Sequence, residues 1–145
     1  LVLENEGKEA AGGATIFSIR RARKADMPAI EEMVAVLFPN ANLRNLPYDV
    51  FFIAERSGMP IGFCHLRMRD DRCYISGLGV LAHYREHGFG TALMREALFY
   101  ADKHGARVTY LKVRALNTAS KLYLSLGFFE KRMGETLVLV RKRPS

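Results

Sequence analysis

Residues 77–92 read GLGVLAHYREHGFGTA, an apolar strand that runs through Arg85-x-x-Gly88-x-Gly90 and straight into a helix. Such a stretch is built for anion binding. Glycines let backbone N–H groups converge without Cβ obstruction, and the exposed amides and dipole of the following helix favour a phosphate or pyrophosphate. Arg85 adds a mobile positive charge. A tight turn that seats a helix closely on a sheet would use the same glycines, so the pattern alone leaves both readings open. It is not a P-loop, because Lys followed by Ser or Thr is missing after the second Gly, and the three-glycine dinucleotide pattern is incomplete.

Upstream, Val50 to Arg56, Pro60 to Arg69 and Arg72 to Leu81 read as three antiparallel strands, joined by Ser57-Gly58-Met59 and by Asp70-Asp71. With the two Asp at the hairpin tip, Arg69 faces Arg72, Met68 faces Cys73, Arg67 faces Tyr74, Leu66 faces Ile75 and His65 faces Ser76. Pleating then puts Cys64, Leu66, Met68, Cys73 and Ile75 on an apolar face, and His65, Arg67, Tyr74 and Ser76 on a polar one. Cys64 and Cys73 are not opposite each other in this register, which argues against a disulfide between them. Before the meander, Thr15 to Arg21 reads as a first strand. Asp26-Met27-Pro28 supplies an N-cap and an early Pro for a helix carrying Ile30, Met33, Val34 and Leu37. Residues 39–49 (PNANLRNLPYD) read as a loop. Downstream, Thr91 to His104 is an amphipathic helix closed by Gly105, Arg107 to Arg114 a strand, Asn117 to Leu126 a helix closed by Gly127, and Leu137 to Val140 a last strand. The order implies an α+β or mixed α/β fold around one sheet.

With 49% hydrophobic and 26% charged residues, 145 residues suit one domain with its own core. Residues 1–14 are Glu- and Gly-rich without apolar periodicity and read as a flexible leader or tag remnant, leaving 15–145 as the domain. Two cysteines are too few for a disulfide scaffold, and His83, His87 and His104 share no spacing with carboxylates or cysteines that would hold a metal. No apolar run approaches the roughly 20 residues of a membrane helix, and no secretory start is visible, so a cytoplasmic location is the default expectation. The formal charge of +7 points to an anionic partner: nucleic acid, a membrane surface or a phosphorylated small molecule.

Arg85, Gly88 and Gly90 also resemble the acyl-CoA-binding motif of the GNAT (Gcn5-related N-acetyltransferase) superfamily, which runs Arg or Gln, two residues, Gly, one residue, Gly or Ala. Asn117-Thr118-Ala119-Ser120-Lys121-Leu122-Tyr123, followed by Leu126-Gly127-Phe128, is similar to that family's Asn…Ala…Tyr…Gly-Phe signature. Ile19-Arg20-Arg21-Ala22 and Lys24-Ala25-Asp26 resemble its opening strand and helix. The resemblance spans roughly residues 15 to 140, and the motifs occur in the right order. It implies the GNAT-like acyl-CoA N-acyltransferase fold, a single mixed, mostly antiparallel sheet with helices on both faces. The implied reaction moves the acetyl group of acetyl-CoA to a primary amine of a small molecule, peptide or protein by direct attack in a ternary complex. Neither cysteine lies in a motif that would activate a thiolate, and no Ser lies in a nucleophile elbow.

By the same resemblance, Arg85, Glu86, His87, Gly88, Phe89, Gly90 and Thr91 hold the CoA pyrophosphate, chiefly through backbone amides. Leu78, Gly79 and Val80 offer main-chain hydrogen bonds to pantetheine, in a slot between a splayed parallel pair of strands. Glycines flanking Leu78 would thin the strand where that ligand approaches. Asn117 and Ser120 are further cofactor contacts, although Asn117 suits a plain N-cap equally well. Tyr123 has the spacing of a half-buried helical aromatic, and the resemblance makes it the general acid that protonates the departing thiolate. Histone-type relatives carry a Glu base on the strand before the loop, where Tyr74 stands in this chain. His65 beside it is the candidate base, against the commoner role of a structural His.

The acceptor pocket is expected from the first helix, residues 39–49 and the loop near Glu130 to Glu135. Relatives acting on protein N-termini often carry paired tyrosines after Gly-Phe, where Lys131-Arg132-Met133 stands here, and a polyamine would want a carboxylate-lined pocket. A homodimer is an expectation by analogy. The competing expectation is a non-catalytic acyl-CoA-sensing or nucleic-acid-binding module, with Arg20, Arg21, Arg23, Lys24, Lys131, Arg132 and Arg141 to Arg143 as its basic patch. No aromatic interleaving or recognition-helix pattern accompanies those cations.

Overall fold

In the computed structural model, which describes residues 17–113 and 119–145, the alternating run before the glycine loop forms three antiparallel strands. These are β2 (Asp49–Arg56), β3 (Met59–Arg69) and β4 (Arg72–Val80). The expected β3–β4 register holds from Arg69–Arg72 to Leu66–Ile75. It then slips, because His65 pairs with Gly77 and Ser76 is an extra residue on β4. Such a bulge leaves one residue out of the ladder and bends its strand. Beyond it Leu78 and Val80, rather than the two glycines, continue the apolar face of Cys73 and Ile75.

The meander is extended on both sides into one mixed, mostly antiparallel seven-stranded sheet. β1 (Phe17–Arg21) pairs with β2, and β5 (Val108–Val113) runs parallel to β4. β7 (Thr136–Lys142) is antiparallel to β5 and forms a hairpin with β6 (Phe129–Met133), giving the order β1-β2-β3-β4-β5-β7-β6. The segment from Glu130 to Glu135, expected as a loop, is mostly this β6 edge. All five β6 residues are exposed and three are charged, so no apolar alternation announces the strand, and the charges suit a sheet edge.

Helices cover both faces. α1 (Met27–Leu37) buries Ile30, Met33 and Val34 against Phe51, Ile53 and Phe63. On the other face α2 (Phe89–Lys103) buries Phe89, Ala92, Leu93, Met94, Ala97, Leu98 and Ala101 in the main core, which also holds Phe52, Cys64, Leu66 and Leu139. Each large apolar side chain so buried contributes about 1.5–3 kcal/mol, so α2 is the stronger attachment. α3 (Ala119–Ser125) adds Tyr123 to the same core.

Asp26 stands at the N-cap of α1 but does not cap it with its side chain. The Arg20 guanidinium grips the carboxylate with two bonds of 2.8 Å, and the Arg23 amide adds one of 2.7 Å. A two-pronged charged pair outweighs a single amide bond. Arg20, and secondarily the Arg23 amide, holds this carboxyl well below the usual carboxylate range.

Candidate active site

The site begins where the sheet opens. β4 and β5 pair only through Arg72–Val108, Cys73–Thr109 and Tyr74–Tyr110 among the described residues. Past those pairs β4 stays with β3, bent by the Ser76 bulge, while β5 stays with β7 as far as Val113–Leu137. The facing edges of Ile75–Val80 and Leu111–Val113 are left out of the β4–β5 ladder, and main-chain groups in that position need partners. An extended chain carrying amide groups, as pantetheine does, fits such a slot.

A cavity of about 610 Å³ occupies this opening. Val34 and Phe38 reach it from α1 and its C-terminal end, Leu43 and Arg44 from the loop that follows, His65 and Arg67 from β3, Leu78 from β4, Lys112 from β5 and Tyr123 from α3. His65, Leu78 and Tyr123 are thereby brought together. Their convergence depends on the opening, since Phe51 beside His65 belongs to the α1 face whereas Tyr123 lies in the α2 layer. The first helix and the loop at 39–49 line the cavity as expected, whereas Glu130–Glu135 are not among its lining residues.

Gly79, Val80 and the Arg85–Thr91 loop lie beyond the cavity, at the C-terminal end of β4. Glu86 and Gly88 both adopt positive φ, 64° and 86°, which turns the chain into α2 two residues earlier than expected. The first ladder bond of α2 runs from the Ala92 amide to the Gly88 carbonyl at 3.0 Å, so the preceding amides lie outside the helix's own bonding. A Cβ on Gly90 would meet nothing within 4 Å, so there is room at this turn. The exposed Arg85 side chain is tethered by Nε to the Val80 carbonyl at 3.0 Å. Amides outside the helix ladder, space and a cation suit a pyrophosphate.

The glycines around Leu78 also answer a packing need, and Gly77 lines the cavity. A Cβ on Gly79 would stand 2.7 Å from Leu37 and 3.0 Å from Phe63, and one on Gly77 would stand 3.2 Å from Phe63. They make room for α1 and its aromatic neighbour. Asn117 lies outside the described residues, as does the side chain of Ser120.

Tyr123 is buried and packs edge-on to Phe128, with ring centroids 5.9 Å apart. Burial, with a smaller contribution from Cys64, pushes its phenol upward from the ordinary value, so it is a proton donor at neutral pH. The thiols are poor nucleophiles: burial pushes Cys73 up to about 12 and Cys64 higher still.

His65 is 4% exposed, because Phe51 and the α1 layer cover the face expected to be polar. Its ring stacks on Phe51 at 4.1 Å, and Nε2 stands 3.2 Å from Asp49 Oδ1 without hydrogen-bond alignment. Arg67 Nε donates to the same oxygen at 3.0 Å, and the Leu46 amide donates to Oδ2 at 2.9 Å. Burial lowers the His65 pKa and Asp49 opposes that shift, leaving a net lowering and a neutral ring at pH 7. Burial alone would raise the Asp49 pKa, but Arg67, the Leu46 amide and His65 together hold it down. The sequence marks Asp49 only as the end of a loop, because its side-chain partners stand 16 and 18 residues away. Tyr74 leans on Tyr110, with ring centroids 5.0 Å apart.

The proposed basic patch is divided. Arg20 and Arg21 lie on β1 and Lys131 and Arg132 on β6, the two opposite edges of the sheet. Arg20 is bound to Asp26 and Glu55, and Arg141 to Asp102. Among the described residues no group of three or more His, Cys, Asp or Glu could hold a metal ion, and no helix is long and apolar enough to cross a membrane.

The family model described as "Acetyltransferase (GNAT) family" matches residues 16–128. An "uncharacterized N-acetyltransferase" of Methanocaldococcus jannaschii is 34% identical over 66% of this chain, which spans 46% of that protein's length. An "N-alpha-acetyltransferase" of Sulfurisphaera tokodaii is 28% identical over 81% of this chain and 83% of its own. The crystal structure of an N-acetyltransferase from Thermoplasma acidophilum in complex with coenzyme A superposes with a TM-score of 0.73 at 18% identity, covering 88% of this chain and 99% of that one.

Proposed function

The chain belongs to the acetyltransferase (GNAT) family, and from that membership we propose that it transfers the acetyl group of acetyl-CoA to a primary amine by direct attack in a ternary complex. The observation that carries the proposal is the opening between β4 and β5, which gives Tyr123 and His65 access to one cavity. Acetyl-CoA, when bound, supplies an activated acyl thioester. The amides of the turn into α2, with Arg85, hold its phosphates, and the free edge at Leu78–Val80 holds its amide-bearing arm. With Nε2 turned toward Asp49, Nδ1 is the His65 nitrogen that takes the acceptor's ammonium proton. The freed amine forms the C–N bond as the C–S bond breaks, Tyr123 donates its phenolic proton to the departing sulfur, and the proton shed by the acylated nitrogen restores the phenol.

The acceptor is an amine on a small molecule, a peptide or a protein. Release of free thiol from acetyl-CoA across a panel of amines and peptides tests the activity. Acceptor-dependent release, with the N-acetyl product found by mass spectrometry, is the expected result. Acetyl-CoA binding without release for any acceptor would instead favour a non-catalytic sensor.

A further inference from the structure

The charged part of the cavity wall is cationic. Arg44, Arg67 and Lys112 all line it, and no Asp or Glu is among its described lining residues. Arg67 is held in place by Asp49 through Nε, and its guanidinium carbon stands 5.6 Å over the Tyr48 ring, so the charge is preorganised. Asp49 has no exposed side-chain surface and balances at most one of the three charges from behind the wall. Arg44 is exposed, with no ion pair among the described residues, and Lys112 is exposed beside Tyr74 at 5.9 Å.

Arg67 is badly placed to serve the CoA phosphates, and Lys112, two residues past the Tyr74–Tyr110 pair, stands on the same stretch of the slot. Arg67 pairs with Tyr74, which precedes Val80 by six residues, about 20 Å of strand from the phosphate loop. That is roughly twice the distance over which exposed charges act at physiological salt. All three cations line the cavity that His65 and Tyr123 share.

We propose, resting on the acetyltransferase assignment above, that the acceptor carries a carboxylate close to its amine and that Arg44, Arg67 and Lys112 read it. The two sources of that chemistry are an acidic residue next to a peptide's N-terminus and the α-carboxylate of a free amino acid. The same cations disfavour a bound ammonium, which releases the amine in its attacking form and selects against polyamines.

The test measures kcat/KM for thiol release with peptides of equal length and the same N-terminal residue, followed by Asp-Glu, Asn-Gln or Lys-Lys, alongside alanine and alaninamide. Acidic peptides exceeding neutral ones about tenfold, with basic ones lowest and the spread shrinking in 0.5 M salt, supports a peptide acceptor. Alanine exceeding both alaninamide and every peptide supports a free amino acid. Arg44→Glu on the exposed loop should narrow or reverse the order. Equal rates across the charge series, or faster basic peptides, would overturn this inference and leave the acetyltransferase intact. Absence of release with every acceptor would overturn both.

Discussion

At the scale of single residues, the chemistry depends on which groups hold a proton at neutral pH. Tyr123 keeps its proton because burial disfavours the phenolate. Phe at this position keeps the edge-on contact with Phe128 and loses only the hydroxyl. Tyr123→Phe is therefore expected to lower kcat about 100-fold or more while acetyl-CoA affinity stays within about twofold, checked by steady-state kinetics and calorimetry. His65 works in the opposite sense, because its lowered pKa keeps the ring neutral and able to accept. Activity should fall as the pH drops through that lowered value, and His65→Gln should erase this acid limb of the pH–rate profile. Stability follows the same sign. Below the ordinary histidine pKa of about 6.5 the unfolded chain binds a proton that the folded chain refuses, so stability falls with pH down to the folded value. Asp49 answers both His65 and Arg67 from a fully buried position. Asp49→Ala removes the buried acceptor of the Arg67 and Leu46 hydrogen bonds while the part-exposed Arg67 charge turns to water, and is expected to cost about 1.5–3 kcal/mol in urea unfolding.

At the scale of elements, two glycines of the GLGVLAHYREHGFGTA segment have opposite roles, and alanine separates them. Gly79→Ala pushes a methyl into Leu37, Phe63 and Phe38 and is expected to destabilise the protein by about 1–3 kcal/mol, loosening α1 from the sheet. Gly90→Ala enters open space in the first turn of α2 and is expected to be neutral or stabilising by up to about 1 kcal/mol. Thermal melts of the two variants distinguish them. Strand alternation, turn residues and helical spacing made β2 to β4, α1 and α2 legible in the sequence. The Ser76 bulge was not, because pairing rather than composition decides which strand carries an extra residue. β6 was hidden because an exposed edge strand has no buried face to impose alternation. In the site, Tyr123 and the turn into α2 were visible through motifs, whereas Asp49 and the cations at 44, 67 and 112 meet only after the meander and loop have folded.

At the scale of the whole molecule, the positive charge is spread along strand ends, helix faces and the C-terminal tail. Arg20 and Arg141 are paired within the fold, while Arg85 at the turn into α2 and Arg44, Arg67 and Lys112 along the cavity are placed to meet a ligand. A ligand that reaches from the turn into the slot joins α2 to the facing edges of β4 and β5, which among the described residues have no mutual ladder past Tyr74 and Tyr110. Acetyl-CoA at about 100 times its Kd should therefore add about 2.7 kcal/mol to unfolding. For a chain of this size that is a rise of about 8 °C in Tm. The two halves of the ligand separate the contributions. Acetyl-pantetheine without phosphates should give a smaller rise that salt does not reduce, because it engages only the slot, while the additional rise from acetyl-CoA should shrink in 0.5 M salt as the turn's electrostatics are screened. Equal rises for the two ligands at matched concentration would remove the turn into α2 as the phosphate site, and no rise with acetyl-pantetheine even at high concentration would remove the slot.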